Sequence, residues 1–187
     1  MRDSLPDMSK SRKARRLEAK QRSRQASNAR PAPTLSRFPQ VANGLAAAQQ
    51  LLSGNRLTEA GQLLDQMRAI EPDNAELHHL TGVLADSTGN DAAAIDSFNR
   101  CLSLAPHNTA ATVRLAQKLS GLGDLPGALV AIRNGLKHNP DDPQLHHLAG
   151  QLLQAMNQNE DAARHYTRLA ELRPQHGAYE LVGDAAI

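Results

Sequence analysis

Four prolines stand in arithmetic progression along the chain: Pro72, Pro106, Pro140 and Pro174, each 34 residues after the last. Such a progression makes residues 41–174 a stack of one repeated unit, in which every unit touches only its neighbours. A chain built this way has no reason to converge on a single catalytic pocket. Its functional surface is expected to run along the stack.

Aligned backward from each proline, the units are 41–74, 75–108, 109–142 and 143–176. The eighth residue is small each time: Ala48, Gly82, Ala116 and Gly150. The twentieth is always alanine, at Ala60, Ala94, Ala128 and Ala162, and the twenty-fourth is large: Leu64, Phe98, Ile132 and Tyr166. Polar or glycine turns near Gly54, Gly89, Gly123 and Asn157 divide each unit into two helices of about 13 to 15 residues. Small residues at the eighth and twentieth positions allow two antiparallel helices to approach closely, and the large residue fills the gap toward the next unit. The proline closes each second helix, because its fixed φ and missing N–H suit a helix end.

This pattern resembles the tetratricopeptide repeat, whose unit has the same length and the same small, small, aromatic and proline signposts. The resemblance covers four units and implies an all-α fold: a right-handed superhelical solenoid of four helix pairs. The sequence departs from the pattern at two positions. The early aromatic of the first helix is replaced by Gly44, His78, Thr112 and His146, and the small twenty-seventh residue by Met67, Cys101, Gly135 and Leu169. Residues 177–187 would add a short C-terminal capping helix or tail.

Composition separates the two ends. Residues 1–40 hold 11 Lys+Arg against 3 Asp+Glu, while residues 41–187 hold 10 against 16. The basic arm has Leu17 as the only large apolar residue between Ser9 and Arg24, and prolines interrupt residues 30–39, so it reads as disordered arm and linker. Lys10, Arg12, Lys13, Arg15, Arg16, Lys20, Arg22 and Arg24 form a run suited to weak, sequence-independent contact with RNA or another polyanion. No aromatic interrupts the run to stack on bases, and no apolar stripe would enter a bilayer. No stretch reaches the roughly 18 apolar residues of a membrane span. A single cysteine, Cys101, supplies neither a disulfide framework nor metal-ligand spacing, which fits a reducing, cytoplasmic setting.

The family resemblance further implies a concave groove lined by the second, fifth, ninth, twelfth and thirteenth residues of each first helix. On this sequence the candidates are Leu45, Gln49, Leu52, Glu76, His79, Val83, Asp86, Val113, Gln117, Ser120, Gln144, His147, Gln151 and Gln154. They are aliphatic, amide or mildly acidic, and none is Lys or Arg, which argues against the clamp that some family members use for a terminal carboxylate. The pairs His78-His79 and His146-His147 lie two units apart, about 20 Å at 8 to 10 Å per helix, too far to share a metal. His78 and His146 are expected at the half-buried aromatic position, with His79 and His147 on the groove.

No cofactor or metal site is indicated. No Ser, Cys or Lys stands beside a base with an orienting third group, so the chain is read as a non-catalytic adaptor that binds a peptide or protein segment. Two alternatives remain open. The stretch Leu77 to Ala85 resembles repeats that precede bacterial sulfotransferase, methyltransferase or glycosyltransferase domains, and the arm would suit a nucleic-acid or ribosome-associated adaptor.

Overall fold

A computed structural model describes residues 38–172. The arm, the proposed C-terminal cap and Pro174 lie outside these residues. The described part contains eight helices: α1 (Pro39–Ser53), α2 (Leu57–Ile70), α3 (Ala75–Ser87), α4 (Asp91–Leu104), α5 (Thr109–Gly121), α6 (Leu125–His138), α7 (Pro143–Ala155) and α8 (Asn159–Leu172). Consecutive helices pair as α1/α2, α3/α4, α5/α6 and α7/α8. Each pair packs on the next, and first helices also meet across units, α1 on α3 and α5 on α7. The result is an all-α solenoid.

Local chemistry at the ends of the helices explains the period. The fifteenth residue of every unit has a positive φ: Asn55 (56°), Gly89 (74°), Gly123 (84°) and Asn157 (58°). Asparagine and glycine are the residues that tolerate this left-handed conformation, so they turn the chain from first helix to second. At the thirty-fourth position, Asn74, Asn108 and Asp142 cap the next first helix, accepting hydrogen bonds from the Leu77, Ala111 and Leu145 amides at 3.0, 2.9 and 3.1 Å. Asn90 and Asp124 cap α4 and α6 in the same way. Each cap is worth about 1 kcal/mol.

The prolines act just beyond the helices. Second helices end at Ile70, Leu104 and His138, and the following residues, Glu71, Ala105 and Asn139, leave helical geometry with φ of −139°, −136° and −130°. A residue preceding proline is pushed out of the α region, so helix termination is imposed one residue upstream of the ring. Pro39 behaves differently from the breaker expected of it: it occupies the first helical turn of α1, where a missing N–H costs nothing.

The interior is a chain of three hydrophobic clusters, one at each seam between units. Val41, Leu45, Leu64 and Leu77 anchor the first; Phe98, Cys101, Ala111 and Leu115 the second; Ile132, Leu145, Leu153 and Tyr166 the third. Ala60, Ala94, Ala128 and Ala162 are fully buried, as the close helix approach requires. The two departures from the repeat pattern compensate each other inside single units. A Cβ on Gly44 would stand 2.2 Å from Met67 Sδ, and one on Gly135 would stand 2.7 Å from Thr112 Cγ2. In the first and third units the fourth and twenty-seventh residues face each other, and glycine at one makes room for the larger residue at the other.

Candidate functional site

Every groove candidate lies on a first helix. Leu45, Gln49 and Leu52 are on α1; Glu76, His79, Val83 and Asp86 on α3; Val113, Gln117 and Ser120 on α5; Gln144, His147, Gln151 and Gln154 on α7. Leu45 and Val113 are only 5% and 6% exposed and belong to the seams, which leaves them little surface to offer a ligand. Gln49, Gln117, Gln144 and Gln151 are exposed, and the rest are half-buried. The ninth position of successive units therefore presents Gln49, Val83, Gln117 and Gln151, with side-chain amides in three of the four units.

At the fifth position His79 and His147 lean on the twenty-fourth residue of their own units, with ring centroids 6.1 Å from Phe98 and 6.4 Å from Tyr166. Burial lowers the His79 pKa, an effect opposed by Glu76 and reinforced by Arg114. Its buried Nδ1 has no hydrogen-bond partner, so the neutral ring is the form that this environment favours. Beside His147, the Tyr166 hydroxyl donates to Gln154 Oε1 at 2.6 Å, which fixes the Gln154 amide with its NH2 turned away from the bond.

At the fourth position the histidines tie first helices to the preceding proline turns. His78 Nε2 and His146 Nε2 each lie 2.9 Å from a carbonyl oxygen, of Pro72 and Pro140 respectively, and a carbonyl only accepts, so both nitrogens carry the proton. That leaves His146 Nδ1 as an acceptor, and His165 Nδ1, 3.0 Å away on α8, donates to it. Burial, then the nearby His146 and Arg133, lower the His165 pKa. His165 was not legible as a partner in the sequence, because nothing local links it to a residue 19 positions earlier.

Two cavities open along the inner face. One, of about 420 Å³, lies between α5 and α7, walled by Ala116, Leu148, Leu152 and Ala155 with Gln117, Ser120 and Gln151 at its polar edge. The other, of about 270 Å³, is bounded by Asp86, Asp91, Arg114 and Lys118 together with Gln117 and Gly121. Lys118 Nζ bonds Asp86 and also Asp91, the latter at 2.9 Å, and these contacts raise its pKa. Arg114 approaches Asp86 at 4.0 Å. Thus Asp86, an acidic groove candidate, is paired with Lys118 and only approached by Arg114, cations at the tenth and sixth positions of the next unit. No period marks them, since neighbouring units hold unrelated residues there.

Among the described residues, no group of three or more His, Cys, Asp or Glu side chains is placed to hold a metal ion, and no helix is long and apolar enough to cross a membrane. The basic-arm candidates, Lys10 to Arg24, lie outside those residues.

Residues 87–152 match the family model for the tetratricopeptide repeat. The PEX5-related protein of Homo sapiens is 34% identical over 70 residues, an overlap of 37% of this chain and 11% of that protein, so the chain spans only a small part of the curated relatives it matches. A solved tetratricopeptide repeat protein from Parabacteroides merdae superposes with a TM-score of 0.69 at 18% identity, covering 79% of this chain and 59% of the other. YrrB, described as a TPR protein with an unusual peptide-binding site, gives 0.62 at 19% identity over 89% and 80%. These likenesses are of fold.

Proposed function

We propose that this chain, a tetratricopeptide repeat protein, is a non-catalytic cytoplasmic adaptor whose inner face holds an extended or helical segment of a partner protein. The observation that carries this reading is the row of first-helix faces: the exposed amides of Gln117 and Gln151 flank an apolar cavity large enough for an aliphatic or aromatic side chain, and Gln49 is exposed at the matching position of α1. Amide side chains pair with a partner's backbone groups whatever its sequence, while the cavity supplies apolar burial and register. Its fold is shared with YrrB, which is described as having a peptide-binding site.

The test is capture of partners by the full chain beside a Gln117→Arg, Gln151→Arg variant. Both positions are exposed, so helicity by circular dichroism should be unchanged. Partners that bind the inner face are lost from the variant. Retention of every partner at wild-type level would remove the inner face from the reading.

The basic arm enters the same proposal as a secondary electrostatic contact. Its excess of 11 Lys+Arg over 3 Asp+Glu favours polyanions. Deleting residues 1–30 should weaken RNA retention at low salt and leave inner-face partners in place. Unchanged RNA retention would dispose of the arm's role.

A further inference from the structure

Resting on that binding reading, the two cavities of the inner face point to the chemistry of the partner. They are neighbours on adjoining seams and share Gln117 and Gly121 as a common wall. One is apolar and the other charged, so a chain crossing Gln117 passes from the first into the second.

The charged cavity contains two acids and two bases, but they are not equally engaged. Lys118 is held by both carboxylates, Asp86 and Asp91. Arg114 makes only the 4.0 Å approach to Asp86, and its side chain stays 49% exposed. A guanidinium has five N–H donors in a rigid fork that matches a carboxylate, so most of the donor capacity of Arg114 faces the cavity unused. An incoming Lys or Arg would have to share Asp86 and Asp91 with Lys118, with Arg114 repelling it. An incoming carboxylate would meet a cation with free donors.

We infer that the inner face selects a segment carrying a large aliphatic side chain and a carboxylate two to four residues apart, the aliphatic group in the α5–α7 cavity and the carboxylate on Arg114. The spacing follows from the seams. Adjoining helices stand about 8 to 10 Å apart, and an extended chain advances about 3.3 Å per residue. The proposed ligand is therefore an acidic-apolar protein segment. RNA would find no comparable apolar anchor requirement, and its binding would not depend on the aliphatic residue.

The test uses the full chain and three acetylated, amidated probe peptides: Ser-Ser-Leu-Ser-Ser-Asp-Ser-Ser, and the same peptide with Lys or Ser in place of Asp. Titrations are followed by the backbone NMR signals of Gln117, Gly121 and Gln151. The Asp peptide should bind about tenfold more tightly than the Lys peptide, a preference that shrinks as salt is raised. Arg114→Glu should reverse the order of Asp and Lys while keeping the Leu-dependent shift at Gln151. Equal binding of all three peptides at Gln151, or an Asp preference untouched by Arg114→Glu, overturns the inference and leaves the binding reading standing. If no peptide moves Gln117 or Gln151, both fall.

Discussion

Gly82 lies directly beneath the ring of Phe98: a Cβ added to Gly82 would stand 2.5 Å from Phe98 Cε1. The same relation recurs two units later, where a Cβ on Gly150 would stand 2.4 Å from Tyr166 Cε1. In the first and third units the eighth residue is alanine and the twenty-fourth is Leu64 or Ile132. The eighth and twenty-fourth positions thus divide a fixed space, glycine with an aromatic and alanine with an aliphatic.

Gly82→Ala should destabilise the domain by about 1–3 kcal/mol through overpacking, partly offset by the better helix propensity of alanine. Pairing it with Phe98→Leu recreates the division found in the first unit. Chemical denaturation of the two single variants and the double should show the double less destabilised than the sum. Simple additivity would mean that the two positions do not share one space.

Acid should weaken the fold through its histidines. The pKa values of His78, His79 and His165 are all lowered from 6.5, chiefly by burial. The unfolded chain therefore takes up more protons below pH 6.5 than the native one, and stability is full above that value and declines as pH falls toward the lowered native values. Melting curves between pH 7.5 and 5 should show Tm falling, with a smaller fall in His165→Asn. A Tm that rises on acidification would contradict the sign.

Cys101 should be inert in the native state. It is fully buried between Ala94, Phe98 and Ala111, and burial pushes its thiol pKa up to about 12. Thiolate is the reactive form, so a disulfide-exchange reagent at pH 8 should label it only on unfolding. Rapid labelling of the native chain would place Cys101 at the surface.

The outer seams suggest an engineered staple. Asp73 pairs with Arg100 across the first seam at 2.6 Å, and Asp141 with Arg168 across the third at 2.5 Å. The middle seam carries His107 and Asn134 at the matching positions, and a cleft of about 460 Å³ opens there beside Asn134 and Gly135. His107→Asp with Asn134→Arg should add up to about 1 kcal/mol, more at low salt than at high. A thermal shift that is negative, or that grows with salt, would show that the outer pairs do not act as staples.

Helix count, helix length and turn position were all legible, because each rests on residues within one 34-residue unit. Asn or Gly at the fifteenth position, an Asx cap at the thirty-fourth and proline at the thirty-second act on their immediate backbone. The departures at the fourth and twenty-seventh positions were visible as departures, yet their meaning was not. Only packing shows that Gly44 makes room for Met67 and that Gly135 makes room for Thr112.

The candidate site divides along the same line. Gln117 and Gln151 could be placed on first helices by counting along the repeat, because helical register fixes which residues share a face. That Leu45 and Val113 sink into the seams, that Lys118 pairs with Asp86 while Arg114 stays largely open, and that His146 meets His165 all depend on how successive helices rotate against each other. The sequence by itself determined a helical stack and its period, since those follow from local backbone preferences repeated four times. Tertiary structure alone decided which charges cancel and which side chains stay open to a partner, because those contacts join residues from different units, where the repeat carries no common signal.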